Sequence, residues 1–366
     1  MKSPTSVVGR KLLIANRGEI AVRIMRTAHK LALRTIALYE KDESQALHVQ
    51  LADEAILLTN GFMDIEGIVK KAQEYSADYI HPGYGFLAEN SKFAQKVADA
   101  GIYFVGPGPA AIAAMGDKGH ARRLAEEAGV PLAPGIDLPA EKELTAEELS
   151  QKGSQLNEPF ILKPAQGGGG KSMKVVWSKD DLHANYVQLR AEAERNFGSS
   201  RLVLEKYVPR ARHVEVQVLS NSAAEAFTIS DRDCTVQRNQ QKIIEEAPAP
   251  FLPQEIRRGL HEAARSLANA VEYRNAGPVE YLYDPDEKQF YFLEMNTRLQ
   301  VEHPVTEAIS GLDLVEEQIK IASEIPTNYI QYAFEDEPPQ WCSMELRVCG
   351  EKPDGSFAPS FGTITQ

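Results

Sequence analysis

In the first third of the chain, short apolar runs alternate with segments whose apolar residues recur every three to four positions. Residues 11–15 form an apolar run, residues 18–30 show helical spacing, and residues 34–39 form a second run. This order predicts a strand, a helix and a parallel strand. The alternation continues with predicted helices at 65–75 and 91–100 and predicted strands at 79–81 and 103–105. Residues 1–117 are therefore predicted to form an open parallel α/β domain.

A short glycine-containing segment, residues 81–86, follows one of these predicted strands. Taken alone, its two glycines, Gly83 and Gly85, predict a tight turn. The segment lies where ligands bind in open α/β sheets, beyond the carboxyl end of a strand.

The pattern changes at Lys118. In the segment 213–219, three valines alternate with Glu215 and Gln217, which is typical of a half-buried strand. Strand-like runs also occur at 160–163, 173–177, 202–205, 226–229, 279–283 and 290–296. Such a succession of short strands predicts an antiparallel α+β domain over residues 118–333. The acidic, proline-bearing stretch 334–340 is interpreted as a linker to the beginning of a third, β-rich domain at 334–366.

Composition narrows the function classes. The net charge of −12 argues against binding to nucleic acid or to an anionic membrane, although a local basic cleft can still hold ATP. Apolar runs are far shorter than the roughly 18 residues of a membrane helix. Cys234, Cys342 and Cys349 are too few and too irregularly spaced for a disulfide framework or a zinc site. We expect a cytosolic protein, with a processed mitochondrial matrix protein as the alternative.

The glycine run within residues 165–172 is almost a P-loop, but alanine stands where the first glycine of that motif belongs. A P-loop continues into a helix, whereas strand-forming residues follow here. The segment therefore predicts a hairpin loop whose amides can cover a triphosphate. The alternative is an exposed flexible loop.

A second predicted hairpin carries side chains with oxygen ligands at three positions. Glu280 lies on its first strand, and Glu294 and Asn296 lie two positions apart on its second strand. Three oxygen ligands converging from one sheet suit magnesium that bridges ATP phosphates. The alternative is a solvated sheet face, which the flanking aromatic residues make less favourable.

Two polar segments supply further candidates. Arg298 can bind an oxyanion, Gln300 can orient it, and Glu302 can remove a proton once the site excludes water. Lys242 ends a charge-dense segment, 230–242, and can neutralise an anion. Read alone, the first segment is an ordinary polar loop and Lys242 is a solvated lysine.

These segments, in this order, resemble the biotin carboxylases, which are ATP-grasp enzymes. The matching stretches are residues 14–20, 81–87, 115–118, the glycine loop, 205–207, 212–215, 245–250 and 294–304. Residues 23–27 are most similar to methylcrotonyl-CoA carboxylase alpha subunits. The resemblance implies an ATP-grasp central domain with a lid at about 138–207.

The resemblance also implies the reaction. Glu302 would deprotonate bicarbonate, whose oxygen attacks the γ-phosphate of ATP to give carboxyphosphate. Carbon dioxide released from carboxyphosphate would carboxylate biotin on a separate carrier protein or domain, and a carboxyltransferase subunit would complete the cycle. The sequence does not identify the final carboxyl acceptor.

Site residues follow from the resemblance, set by set. The nucleotide would bind at Lys118, Lys163, Gly168, Gly169, Gly170, Glu205, Lys206, His213, Gln237 and Gln240. Mg²⁺ or Mn²⁺ would bind at Glu280, Glu294 and Asn296. Bicarbonate would bind at Lys242, Arg298, Gln300, Val301 and Glu302. The catalytic set would be Glu302, Arg298, Lys242 and Arg347, with Arg347 stabilising the negative charge on biotin.

Some positions depart from the family pattern. Gln240 replaces a histidine, and Gln166 and Ser172 stand where glycines are common. The sequence stops at Gln366, before the rest of the family's third domain, so we expect a C-terminally truncated chain with a weakened homodimer. One alternative is therefore a catalytically weak or silent homologue that retains ATP binding and acts as an interaction subunit. Another ATP-grasp ligase, of the carbamoyl-phosphate or peptide-bond-forming type, is the third interpretation.

Overall fold

The computed structural model describes residues 6–156, 158–165, 173–329, 339–352, 354–360 and 362. These residues form three β-sheets with helices packed against them. The mixed architecture confirms the predicted combination of a parallel α/β part and an antiparallel part.

The first sheet is parallel and has the strand order β3-β2-β1-β4-β5. Its strands are β1 (Lys11–Ile14), β2 (Arg34–Tyr39), β3 (Glu54–Leu57), β4 (Tyr79–His81) and β5 (Tyr103–Phe104). The helices are α1 (Gly18–Lys30), α2 (Leu47–Leu51), α3 (Ile65–Glu74), α4 (Ser91–Asp99) and α5 (Pro109–Gly116), with a short 3₁₀ helix at Lys41–Glu43. Strand β3 and helices α2 and α5 were not predicted from the sequence. Their apolar patterns are too short or too continuous to show a strand or helix period.

A four-stranded antiparallel sheet of order β6-β9-β7-β8 follows. Its strands are β6 (Gly135–Leu138), β7 (Phe160–Pro164), β8 (Lys174–Val176) and β9 (Leu202–Lys206). The accompanying helices are α6 (Lys118–Glu127), α7 (Ala146–Gly153) and α8 (Leu182–Phe197), with a 3₁₀ helix at Lys179–Asp181.

Two local predictions are confirmed in this sheet. Thr145 and Glu148 form a capping box at the start of α7. Strands β7 and β8, the arms of the predicted glycine hairpin, pair antiparallel. The loop between them, which includes Gly168, Gly169 and Gly170, lies outside the described residues, so its proposed role stays a prediction.

The third and largest sheet is antiparallel, with the order β14-β13-β10-β11-β12-β15. Its strands are β10 (Arg212–Ser220), β11 (Ala226–Arg238), β12 (Gln241–Ala247), β13 (Asn275–Asp284), β14 (Gln289–Met295) and β15 (Ser343–Leu346). Helices α9 (Gln254–Ala270), α10 (His303–Ser310) and α11 (Leu314–Ala322) complete the described elements.

The charge-dense segment 230–242 is mostly strand, which corrects the predicted strand end at residue 229. Strand β11 continues to Arg238 and pairs with β12 across a two-residue turn, Asn239 and Gln240. Both turn residues have positive φ, 51° and 64°, as a type I′ hairpin requires. Pattern analysis missed residues 230–238 of this strand. Charged side chains there are buried in ion pairs, so the segment lacks the usual alternation of apolar and polar residues.

Strand β15 adds to the edge of the third sheet next to β12. It comes from the segment that the sequence assigned to the beginning of a third domain, and its residues lie beside the candidate site. The domain boundaries themselves stay predictions.

One hydrophobic cluster joins the first and third sheets. Leu12 and Ile24 of the first sheet region pack in the same cluster as Leu219, Ile229 and Ile319. This shared core brings the carboxyl end of β4 towards the loop after β14. Within the described part of the chain, no helix combines the length and the apolar character needed to cross a bilayer.

Candidate functional site

Lys242 lies at the centre of the candidate site. Its ammonium nitrogen Nζ is 2.8 Å from Glu215 Oε2, 2.9 Å from Glu280 Oε1 and 2.6 Å from Glu302 Oε1. These carboxylates come from β10, from β13 and from the residue that precedes α10. Burial opposes the charge on Lys242, but Glu215 and Glu280 outweigh it and raise its pKa. Lys242 is therefore a half-buried, charged residue and not a solvated lysine, and together with these three carboxylates it forms what we call the hub.

A β-bulge aims Lys242 and Glu245 at the same site. Strict alternation would place residues three apart on opposite faces of β12. Gln237 pairs with Lys242 whereas Val236 pairs with Ile244, so Ile243 is left without a partner on β11. The extra residue reorients the strand locally, and this brings Lys242 and Glu245 together around Glu302.

Glu302 is fully buried and both of its carboxylate oxygens are bound by cations. Oε1 accepts from Lys242, and Oε2 accepts from Arg347 Nη2 at 2.9 Å. The Arg347 Nε also donates to Glu245 Oε1 at 2.6 Å. The structure thus brings together three of the four residues predicted to be catalytic: Glu302, Lys242 and Arg347.

Arg298, the fourth predicted catalytic residue, lies against a different acid. Its Nε donates to Glu89 Oε2 at 2.9 Å, and its Nη1 lies 3.4 Å from Gln300 Oε1. Glu89 also accepts from the Thr297 amide at 3.1 Å. Sequence analysis missed Glu89, although it lies only three residues beyond the glycine-containing segment 81–86.

That segment is a turn, as predicted. Gly83 and Gly85 both have positive φ, 63° and 73°, which favours glycine. Asn16 holds the turn by donating to the carbonyls of Pro82 and Tyr84, both at 2.7 Å. The turn follows β4 and therefore delivers Glu89 to the loop that carries Arg298.

Glu280 contacts residues from both the predicted metal site and the predicted nucleotide site. Asn296 Nδ2 and Gln300 Nε2 donate to its Oε1 at 2.9 and 3.2 Å. His213 Nε2 lies 2.8 Å from its other oxygen, and Gln237 contacts His213 Nδ1 at 2.8 Å. Burial disfavours a charged His213, but the hydrogen bond and charge of Glu280 outweigh it and raise the pKa of His213.

Glu294 fits a divalent cation shared with Glu280. The two residues are cross-strand partners on β13 and β14, and cross-strand partners share a sheet face. Burial, and then the charge of Glu280, raise the pKa of Glu294, a repulsion that a bound cation would relieve. Asn296 is turned differently, since its Oδ1 accepts from Arg298 Nη2 at 3.2 Å. The metal role of all three residues stays a prediction.

The residues predicted to bind ATP lie on several elements. Lys118 Nζ is 3.8 Å from Glu294 Oε2, and Lys163 forms an ion pair with Glu205. Lys206 pairs with Glu287 and lies 3.6 Å from Asp284 Oδ2. Gln240 is exposed at the tip of the β11–β12 hairpin, and Val301 lies in the turn before α10. Arg122, which sequence analysis missed, contacts Glu205 at 3.0 Å.

A second cation, Arg232, contacts Glu215 of the hub. Arg232 is fully buried, forms an ion pair with Glu215, and donates to Gln217 and Thr306, both at 2.9 Å. Opposing charges from Arg232 and Lys242 outweigh burial and hold the pKa of Glu215 well below its ordinary value. Neither Glu215 nor Arg232 was predicted, although Glu215 occupies a polar position of the alternating β10 pattern.

This arrangement can bind a small anion beside a base. Lys242, Arg298 and Arg347 supply cationic donors, Gln300 supplies an amide, and Glu302 supplies a carboxylate shielded from water. Such a group is suited to deprotonating and orienting an oxyanion. The acid pair Glu280 and Glu294 lies on the same face of the sheet, and Glu280 itself contacts Lys242.

Comparison with known families and structures agrees with this geometry. Residues 8–112 match the family model described as "Biotin carboxylase, N-terminal domain". Residues 117–330 match the model described as "Carbamoyl-phosphate synthase L chain, ATP binding domain". Together the two models span the first sheet, the second sheet and every strand of the third sheet except β15.

Similar curated proteins include Biotin carboxylase 1 of Bacillus subtilis, which is 43% identical over 360 residues, covering 97% of this chain and 79% of that protein. The mitochondrial methylcrotonoyl-CoA carboxylase subunit alpha of Arabidopsis thaliana is 44% identical over 359 residues, covering 97% of this chain. The chain spans only 48% of that plant protein, about half its length.

Among solved structures, the biotin carboxylase domain dimer of Hydrogenobacter thermophilus 2-oxoglutarate carboxylase superposes with a TM-score of 0.85. It is 39% identical, and the match covers 98% of this chain and 79% of that one. That structure is a complex with MgADP, ADP and bicarbonate.

Proposed function

The chain belongs to the biotin carboxylase family, and on that premise we propose that it uses ATP and bicarbonate to carboxylate biotin held on a carrier. The observation that carries this proposal is the position of Glu302. Glu302 is a fully buried carboxylate between Lys242 and Arg347. It can accept a proton from bicarbonate, and the two cations can then bind the deprotonated anion.

Bicarbonate is the ligand that would separate the ion pairs of Glu302 with Lys242 and Arg347. Its oxygens are suited to the donors Lys242, Arg298, Gln300 and the Val301 amide. Glu302 takes its proton, and the freed oxygen attacks the γ-phosphate of ATP to give carboxyphosphate and release ADP. Arg298 must leave Glu89 to take part, since its Nε is bound there at 2.9 Å.

The second half of the proposed reaction uses the same cations. Carboxyphosphate breaks into carbon dioxide and phosphate, and the phosphate accepts the N1 proton of biotin so that N1 can attack the carbon dioxide. Arg347 stabilises the negative charge that then develops on the biotin ring. Glu280 and Glu294 would hold a magnesium ion that neutralises phosphate charge.

The decisive assay measures ADP release by the purified chain with ATP, magnesium, bicarbonate and free biotin. We expect release that requires both bicarbonate and biotin. A folded preparation that binds ATP and shows no turnover would favour the alternative of a silent interaction subunit. Turnover that requires bicarbonate but ignores biotin would favour another ATP-grasp ligase.

Glu294→Gln tests the proposed metal site. Loss of one carboxylate should raise the magnesium concentration needed for half-maximal nucleotide binding by about tenfold or more, since hard oxygen anions supply most of the affinity. The measurement is a magnesium titration of ATP binding by calorimetry. Glu262→Gln on α9 is the matched control, because Glu262 is an exposed carboxylate that does not belong to the predicted metal site. Identical titrations for Glu294→Gln and the parent chain would reject Glu294 as a ligand.

The partners in this proposal are a biotin carrier protein or domain and a carboxyltransferase, with a second copy of the chain forming a homodimer. The final carboxyl acceptor is left open, because relatives with different names have nearly equal sequence identities to this chain. A location in the cytosol or the mitochondrial matrix stays a prediction.

A further inference from the structure

Two acids face each other across the strands beside Arg347. Glu245 on β12 and Glu345 on β15 are antiparallel register partners, so their side chains share one face of the sheet. The Glu245 Oε2 and Glu345 Oε2 atoms are both buried and have no hydrogen-bond partner among the described residues. Neither residue belongs to the predicted catalytic, metal or nucleotide sets.

Like charges at such a pair are destabilising, and a buried carboxylate oxygen without a donor costs further free energy. A single proton between the two acids removes both problems, since it neutralises one charge and supplies the missing donor. Burial, followed by the charges of Glu245 and Glu302, raises the pKa of Glu345 to about 7. Burial also raises the pKa of Glu245, against the opposing charge of Arg347.

We propose that Glu245 and Glu345 share one proton, and that its release to solvent draws Arg347 away from Glu302. With the proton present, Arg347 bridges Glu245 and Glu302 as observed. With the proton gone, two carboxylates on neighbouring strands attract the guanidinium, and Glu302 Oε2 is freed to act on bicarbonate. Glu345 is thus a positioning residue that acts through Arg347.

Other charged groups surround this pair and set its environment. From the elements packed against it, the titratable or charged side chains are Lys242 on β12, Arg232 on β11, Arg347 on β15, Glu302, His303 and Glu307 at α10, and Tyr84 from the turn after β4. His303 stays neutral near pH 7, because burial, aided by the charge of Arg23, lowers its pKa to about 4. Glu307 forms its ion pair with Arg23, at 2.7 Å, so we assign the change in proton count to Glu245 and Glu345.

The shared proton can be tested without turnover. Infrared spectroscopy with ¹³C-labelled glutamate measures protonated carboxyl groups directly. We expect the parent chain to lose one protonated carboxyl between pH 6 and pH 8, and Glu345→Gln to lack that change. Glu246→Gln is the matched control, because Glu246 lies on the same strand but faces away from Glu245. An unchanged titration in Glu345→Gln would overturn the shared proton.

The consequence for the reaction rests on the proposed function and needs a second readout. For the parent chain, kcat/KM for bicarbonate should rise between pH 6 and pH 8 as Glu345 ionises. Glu345→Gln cannot ionise, so it should lack this rise and be about tenfold slower at pH 8, with ATP binding unchanged. A parental pH profile in Glu345→Gln would refute the positioning role. If the parent chain shows no bicarbonate-dependent turnover, the proposed function fails while the infrared result still decides the shared proton.

Discussion

Glu302→Gln is expected to lower bicarbonate-dependent ADP release by about 10²–10⁴-fold, the usual contribution of a positioned general base. An amide has nearly the same shape as a carboxylate but cannot take the bicarbonate proton. ATP binding should be almost unchanged, because Glu302 contacts Lys242 and Arg347 and not the residues predicted to hold the nucleotide. Steady-state kinetics and ATP calorimetry measure the two effects separately.

The matched control for this variant is Glu316→Gln. Glu316 lies on α11 and pairs with Lys320 at 2.6 Å on the surface, so its loss should leave turnover unchanged. Thermal unfolding of both variants separates a chemical defect from a folding defect. Full turnover in Glu302→Gln would remove Glu302 from the role of base.

Lys242→Met is expected to abolish turnover and to lower the free energy of unfolding by about 3–5 kcal/mol, the usual effect of removing one partner from a buried ion pair. The methionine fills similar volume, so the loss comes from charge. Glu215, Glu280 and Glu302 would remain together in the interior without the ammonium that lies within 3 Å of each. Urea unfolding, followed by far-UV circular dichroism, measures the change.

A second substitution tests the electrostatic cause. Combining Lys242→Met with Glu280→Gln removes one of the repelling charges and should recover part of the lost stability, although turnover stays absent. Lys71→Met is the control, because Lys71 pairs with Glu74 on the exposed side of α3 and its loss should change the free energy of unfolding very little. A Lys242→Met chain as stable as the parent would show that the hub contributes no net stability.

Much of the local structure could be predicted from the sequence. Helix α1 has its predicted bounds because its apolar residues follow the helical period and bury one face. The capping box at Thr145 is a matter of neighbouring residues, and the pairing of β7 with β8 follows from strand formers on both sides of a glycine run. The order of motifs also identified the family, since each motif is a contiguous string.

The composition of the site was predicted better than its contacts. Glu302, Lys242 and Arg347 were chosen from separate segments, and the structure brings them within hydrogen-bonding distance. Arg298 was predicted to bind bicarbonate. In the structure its side chain donates a hydrogen bond to Glu89, a residue more than 200 positions away in the chain. No local pattern indicates such a pair, because it depends on how the first and third sheets pack.

By itself, the sequence determined the short-range features of this protein: the strands and helices with clear periodicity, the capping residues, and the motifs that mark the family. Only the tertiary structure decided which charges meet. The bulge at Ile243 turns Lys242 and Glu245 towards one site, and β15 places Glu345 opposite Glu245. Periodicity is a property of neighbouring residues, whereas strand register and bulges minimise the free energy of the whole packed sheet, so they cannot be read from any one segment.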